Sequence, residues 1–183
     1  MPTICVIGPH SSGTRLMSRI CRVGLAGHGW EIYHRSLPGS WPTRGARFVW
    51  IERDAHCTMA SQLANGHAKT PQQANEQLAA ARTQFYEKLT EGMDVLTVHY
   101  SELVGNPDGV IARIAAWMGV EPWAMAEDVF DGDGPYRDVN LVDVRPKPTV
   151  GHKVWTPTRG GEAPPGAGIG IPPVRAIGEM NDG

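Results

Sequence analysis

The sequence predicts an α/β fold of three layers, in which a mostly parallel sheet carries helices on both faces. Apolar, partly β-branched runs at residues 4–7, 48–51 and 95–98 are typical of buried strands. Turns and segments with helical apolar spacing lie between them. Strands that alternate with helices in this way pair in parallel through right-handed crossovers, so their carboxyl ends should share the sheet edge at which ligands bind.

The first half of the chain begins with a strand at residues 4–7, which ends at a Gly-Pro pair. Apolar residues then recur at helical spacing and predict a helix over about 13–23. A weak strand at 30–33 is followed by a loop over 37–45, where proline and glycine interrupt any regular pattern.

The second half of the chain carries the clearer helix boundaries. After the second apolar strand, a helix is predicted over 55–63. Thr70, followed by proline, supplies an N-cap and first turn for a long helix that Gly92 stops. Asn106, again followed by proline, opens a helix that ends at Gly119.

The length of 183 residues fits one full domain, which we place at residues 1–150. The remaining residues, 151–183, are rich in glycine and proline and predict an extended or partly disordered arm. Apolar residues make up 41% and charged residues 20% of the chain, which is near the globular average and excludes a wholly disordered protein.

Charge and cysteine content exclude several classes of protein. The formal net charge of -2 provides no global basic field, so we expect neither a nucleic acid nor a membrane as partner. The three cysteines are widely spaced and lack metal-ligand spacing, which favours reduced thiols and no metal site. No signal peptide is recognised, and we expect a cytoplasmic protein.

A glycine-containing loop over residues 8–15 connects the first strand to the first helix. Backbone N–H groups converge at such a junction and favour a phosphate, in the manner of P-loop nucleotide-binding folds. Ser12 and Thr14 add hydroxyl donors, and Arg15 adds a charge. Thr14 occupies the position at which an NTPase loop has lysine, which weakens a nucleoside-triphosphate interpretation. The alternative is a turn that needs glycine for its backbone shape alone.

A second anion motif follows the strand at 48–51. Arg53-Asp54 leads into a helix that carries Ser61, and guanidinium and hydroxyl groups both donate hydrogen bonds to anions. Together with the glycine loop, this segment resembles the sulfotransferase family that uses 3′-phosphoadenosine 5′-phosphosulfate (PAPS). Residues 98–103, which read V-H-Y-S-E-L, are similar to a further family segment that contains a tyrosine.

The resemblance implies a P-loop fold and a donor site for PAPS. The glycine loop would bind the 5′-phosphosulfate, the second motif would bind the 3′-phosphate, and the tyrosine would lie near the adenine. The implied donor-binding residues are Ser11, Ser12, Gly13, Thr14 and Arg15 for the first part, Arg53 and Ser61 for the second, and Tyr100 for the third.

The resemblance also points to catalytic candidates. His34, in the stretch Y-H-R-S-L-P, is similar in position to the family's acceptor-side histidine and is the candidate base, with Glu31 as the second choice. The family usually has lysine or arginine immediately before its S-G-T sequence, where this chain has Ser11. Arg15 or His10 would then supply the cation that stabilises the departing phosphate.

The resemblance therefore implies transfer of a sulfuryl group from PAPS to an acceptor hydroxyl or amine, without a metal. The partner would be a small-molecule or glycan acceptor, and Trp41 is a candidate to line its pocket. A P-loop nucleotide or small-molecule kinase and a binding module without catalytic activity are the alternatives. The oligomeric state is left open.

Structural roles compete with these assignments. His34 would otherwise be a loop histidine bonded to backbone carbonyls, and Tyr100 a core aromatic. Arg53 would otherwise form an ion pair with Asp54 or Glu52.

Overall fold

A computed structural model of the chain describes residues 2–40, 45–125 and 129–147. The predicted arm at 151–183 and Trp41 lie outside the described residues.

Within the described residues, four parallel strands form one sheet in the order β2-β1-β3-β4. The strands are β1 (Thr3–Pro9), β2 (Glu31–Leu37), β3 (Arg47–Glu52) and β4 (Val95–His99). The helices are α1 (Thr14–Leu25), α2 (Ala55–Ala64), α3 (Pro71–Leu89), α4 (Tyr100–Gly105) and α5 (Pro107–Met118). Short 3-10 turns lie at Ala26–His28, Gly134–Tyr136 and Leu141–Asp143.

Helices cover both faces of the sheet and bury a separate apolar cluster on each. Val6 and Ile51 point to the face that packs against α1, α4 and α5. Ile7 and Trp50 point to the opposite face, where the Trp50 ring stacks on Phe85 of α3 at a centroid distance of 4.0 Å. The predicted three-layer α/β class is confirmed.

Side-chain caps mark the starts of three helices. Thr70 accepts a hydrogen bond from the backbone N–H of Gln73 at the start of α3. Asn106 does the same for Gly109 at the start of α5, as the sequence predicted. Asp54 caps α2 by accepting from the N–H of Cys57 at 2.8 Å.

The second strand corrects the sequence analysis, which predicted a weak strand at 30–33 with His34 beyond it. In the structure β2 pairs with β1 along its whole length, and His34 lies inside the strand opposite Val6. β2 is an edge strand in which Tyr33 and Arg35 are exposed, whereas Leu37 at its end is buried in the apolar cluster under α3. Such polar alternation lacks the apolar run that identified the buried strands.

The strand order places a topological switch point between β1 and β3. The chain passes from β1 to β2 on one side and then returns to place β3 on the other side. The loops that leave the carboxyl ends of β1 and β3 therefore lie on either side of one crevice. Open α/β sheets bind ligands in such a crevice.

Burial also defines the state of the thiols. The three cysteines are free and buried. Burial raises the pKa of Cys5 to about 11 and that of Cys21 to about 12. In the part of the chain that the structure describes, no helix combines the length and apolar character needed to cross a bilayer.

Candidate functional site

The loop between β1 and α1 makes a tight turn at the crevice. The N–H of Ser12 donates to the carbonyl of Pro9 at 3.1 Å, and Ser11 and Gly13 have φ values of 65° and 98°. α1 begins at Thr14, and the N–H groups of the first turn of a helix have no acceptor inside the helix. These donors and the positive end of the helix dipole make the loop suited to an anion.

The loop hydroxyls are turned inwards. Ser12 and Thr14 are buried, and the Ser12 Oγ lies only 2.4 Å from the position that a Cβ at Gly8 would take. Gly8 is therefore required by the packing of Ser12. The Oγ atoms of Ser11 and Ser12 are buried and have no hydrogen-bond partner among the described residues. Unpaired hydroxyls beside helix N–H groups that have no acceptor inside the helix fit a phosphate ligand, which accepts hydrogen bonds.

Arg53 follows β3 and reaches across the crevice to the glycine loop. Its Nη1 donates a hydrogen bond to the carbonyl of Ser11. Its Nε donates to Asp133 Oδ1 at 2.5 Å, and its Nη2 donates to the carbonyl of Gly132 at 2.9 Å. The side chain is 6% exposed. The two motifs that the sequence analysis singled out are therefore adjacent in the structure.

Arg53 forms an ion pair, but neither Asp54 nor Glu52, the two partners that the sequence suggested, takes part in it. Asp54 is the N-cap of α2, and hydrogen bonding from the Cys57 N–H lowers the pKa of its carboxyl. Glu52 pairs with Arg82 at 2.9 Å. The carboxylate on Arg53 instead belongs to Asp133, which is distant in the sequence.

Tyr100 connects the two sides of the crevice. The Arg53 guanidinium carbon lies 4.7 Å from the centre of the Tyr100 ring. The same ring is so close to the glycine loop that a Cβ at Gly13 would lie 2.9 Å from Tyr100 Cδ2. The hydroxyl accepts from the Gly132 N–H at 3.1 Å and donates to the Phe130 carbonyl at 3.4 Å. Tyr100 is thus both a buried aromatic and part of the site.

Residues 130–133, which we name the strap, were missed by the sequence analysis. Besides the contact of Asp133 with Arg53, Asp131 pairs with Arg137 at 2.5 Å and accepts from the Asp133 N–H at 2.9 Å. The strap has no helical or strand periodicity. The D-G-D-G sequence at 131–134 was the local signal, and it predicts a turn without indicating that Arg53 is its partner.

Ser61 lies on α2 and is buried. Its hydroxyl oxygen accepts a hydrogen bond from Asn65 Nδ2 at 3.1 Å. Ser61 is therefore bonded to the residue that follows the end of its own helix, and its predicted role toward a 3′-phosphate stays a prediction.

His34 and Arg15 form a second pair of candidates on the α1 side of the sheet. His34 is half-buried in β2, and Arg15 is exposed on α1. Burial lowers the pKa of His34, and the positive charges of Arg15, Arg22 and Arg35 lower it further. A lowered pKa favours the neutral imidazole, which is the form that accepts a proton.

His10 lies toward α2 instead. Gln62 Nε2 donates to its carbonyl at 3.1 Å, and its ring lies 5.2 Å from that of His67. Burial and the neighbouring His67 lower the pKa of His10. Of the two cations that the sequence offered, Arg15 is therefore the better candidate. Among the described residues, no group of three or more His, Cys, Asp or Glu side chains is placed to hold a metal ion.

Part of the chain matches a known protein family. Residues 41–125 match the model of the sulfotransferase family. No curated protein shows a significant match to the chain. The matched region includes Arg53, Ser61 and Tyr100, whereas the glycine loop and His34 precede it. Over residues 41–125, the match confirms the resemblance to this family that the sequence suggested.

Proposed function

We propose that this protein is a sulfotransferase that takes its sulfuryl group from PAPS and transfers it to an acceptor hydroxyl or amine. The observation that carries the proposal is the hydrogen bond from Arg53 Nη1 to the Ser11 carbonyl, which joins the two anion motifs at one crevice. The family match over 41–125 supports the type of reaction.

In this proposal the two ends of one nucleotide bind to the two sides of the crevice. The first-turn N–H groups of α1 bind the 5′-phosphosulfate. Arg53 and Ser61 bind the 3′-phosphate, because a buried guanidinium in a crevice is a strong anion donor. Tyr100, which packs on both Arg53 and Gly13, sets the distance between the two sub-sites and lies near the adenine.

The transfer step moves SO3 in line from the bridging phosphate oxygen to the acceptor. The bond from sulfur to that oxygen breaks while the bond from sulfur to the acceptor oxygen or nitrogen forms. The acceptor proton passes to neutral His34, and Arg15 stabilises the negative charge left on the phosphate. This scheme uses no metal. The acceptor, a small molecule or a glycan, would enter beside β2, and the buried thiols suit a reducing cytoplasm.

Ser11 favours a second function, in which the protein binds the donor without transferring its sulfuryl group. The family's cation is missing at this position, and the Ser11 carbonyl is held by Arg53. Loss of one transition-state donor costs about 10²- to 10³-fold in rate. Turnover measured with a panel of phenol, sugar and amine acceptors separates a slow enzyme from a binding module.

Calorimetric binding of 3′,5′-bisphosphoadenosine and of ADP tests the donor assignment. The 3′-phosphate compound should bind at least about tenfold tighter, a difference of about 1.4 kcal/mol. Arg53→Ala should abolish this preference. Ser61→Ala should reduce it while leaving ADP binding unchanged, because Ser61 would contact only the 3′-phosphate. Equal binding of both nucleotides by the unaltered protein would remove PAPS as the donor.

A matched control separates loss of a ligand contact from damage to a helix. Ser18 is buried on α1, and its hydroxyl donates to the Arg15 carbonyl at 2.9 Å. Ser18→Ala therefore deletes a buried helix hydroxyl that does not belong to the proposed 3′-phosphate site. It should keep the preference for the bisphosphate that Ser61→Ala reduces.

A further inference from the structure

We propose that the Asp133 carboxylate occupies the phosphate-binding edge of the Arg53 guanidinium, and that a 3′-phosphate has to displace it in order to bind. This inference rests on the proposed function, since it concerns the same arginine. It adds a residue outside the region of the family match, which ends at 125. It also assigns a role to the strap.

All three nitrogens of the Arg53 guanidinium already donate hydrogen bonds. Nε donates to Asp133, Nη2 to the Gly132 carbonyl and Nη1 to the Ser11 carbonyl. A guanidinium binds a phosphate best through two parallel N–H groups. The edge formed by Nε and Nη2 points at the strap, so a phosphate that uses this edge has to displace both Asp133 and the Gly132 carbonyl.

Asp133 and a 3′-phosphate also compete electrostatically for Arg53. The side chains of Arg53 and Asp133 are only 6% and 11% exposed, so water screens their charges weakly. A dianionic phosphate beside the Asp133 carboxylate would be strongly repelled, whereas the carboxylate on its own neutralises Arg53. Asp133 and the 3′-phosphate are therefore alternatives for the same cation.

The strap is attached to Arg53 by hydrogen bonds that a bound phosphate can replace. Among the described residues, its hydrogen bonds with the crevice are two with the Tyr100 hydroxyl and two with Arg53. Val129, just before the strap, packs against the apolar cluster on the α1 side of the sheet. Phe130 is 80% exposed, so no burial of its ring holds the strap in place. Replacement of Asp133 by phosphate would release the strap from Arg53 without opening the apolar core.

The experiment is calorimetry of 3′,5′-bisphosphoadenosine and ADP with the Asp133→Asn variant. Asparagine keeps an oxygen that accepts from Arg53 Nε and removes the negative charge. The variant should bind the bisphosphate about tenfold tighter than the unaltered protein and should bind ADP with the same affinity. Asp108→Asn removes the same charge from an exposed position on α5 and should change neither affinity.

Hydrogen exchange of the unaltered protein gives a second readout that does not need a variant. The N–H of Gly132 donates to Tyr100, and the N–H of Asp133 donates to Asp131. Saturation with the bisphosphate should speed the exchange of the Gly132 amide more than that of the Asp133 amide. A strap that has lost both hydrogen bonds to Arg53 separates from Tyr100 more often, whereas the bond from Asp133 to Asp131 lies within the strap. Slower exchange would mean that the strap forms a fixed wall of the donor site and would overturn the proposal.

The outcomes distinguish the two levels of inference. Bisphosphate affinity that stays the same or falls in Asp133→Asn, with the preference over ADP intact in the unaltered protein, rejects the role of Asp133 alone. No preference for the bisphosphate in either protein rejects the PAPS site. If Asp133→Asn does not fold, the hydrogen-exchange result decides.

Discussion

The contact between Gly13 and Tyr100 predicts an unusually large cost for one added methyl group. A Cβ at Gly13 would lie 2.9 Å from Tyr100 Cδ2 and 3.0 Å from Cε2, and the φ of Gly13 is 98°. The positive φ costs an L-residue about 1–2 kcal/mol. Overpacking against the ring adds about 1–3 kcal/mol. We expect Gly13→Ala to lower the free energy of unfolding by about 2–5 kcal/mol.

Gly66 supplies a matched control, because it has a φ of 71° and a Cβ there would meet nothing within 4 Å. Gly66→Ala should therefore show only the backbone cost of about 1–2 kcal/mol. Equilibrium urea unfolding of both variants, with equal m-values, measures the difference. Equal losses in the two variants would refute the packing of Tyr100 against the glycine loop, on which the geometry of the crevice depends.

Three further predictions follow from charges and burial. Arg53→Ala should lower the free energy of unfolding by about 3–5 kcal/mol, because it leaves the buried Asp133 carboxylate without its cation. Arg113→Ala breaks an exposed ion pair and should lower it by at most about 1 kcal/mol. Equilibrium unfolding in urea measures both values. The midpoint of the acidic limb of the pH–rate profile should lie below the ordinary histidine pKa, because a lowered pKa keeps His34 neutral to a lower pH. His34→Gln should remove that limb. The three buried thiols should react with iodoacetamide slowly at pH 8 and quickly in urea, as mass spectrometry would show.

These three predictions fail in different ways. Similar losses for Arg53→Ala and Arg113→Ala would mean that the Asp133 pair is not buried. An acidic limb that persists in His34→Gln would exclude His34 as the base. Fast alkylation of the folded protein would contradict the burial of the cysteines.

Local sequence patterns were sufficient for the main elements of the fold. The apolar runs identified β1, β3 and β4, and the Thr70 and Asn106 caps located the starts of α3 and α5. The extent of β2 was not predicted, because an edge strand needs apolar residues on one face only. The register of β2 is set by its pairing with β1, and the sequence of β2 alone carries no information about that pairing.

The candidate site was predictable only in part, for a related reason. Arg53 and the glycine loop follow strands, so the rule for parallel sheets brings them to one edge. The pairing of Arg53 with Asp133 joins residues far apart in the chain and belongs to tertiary structure alone. The inward orientation of Ser12 likewise follows from its packing over Gly8.

The central claim is that the glycine loop and Arg53 bind opposite ends of one nucleotide. A crystal structure with 3′,5′-bisphosphoadenosine tests it most directly. We expect the 5′-phosphate at the N–H groups that begin α1 and the 3′-phosphate on the Arg53 guanidinium. A nucleotide bound with its 3′-phosphate in solvent, or away from the crevice between β1 and β3, would contradict the claim.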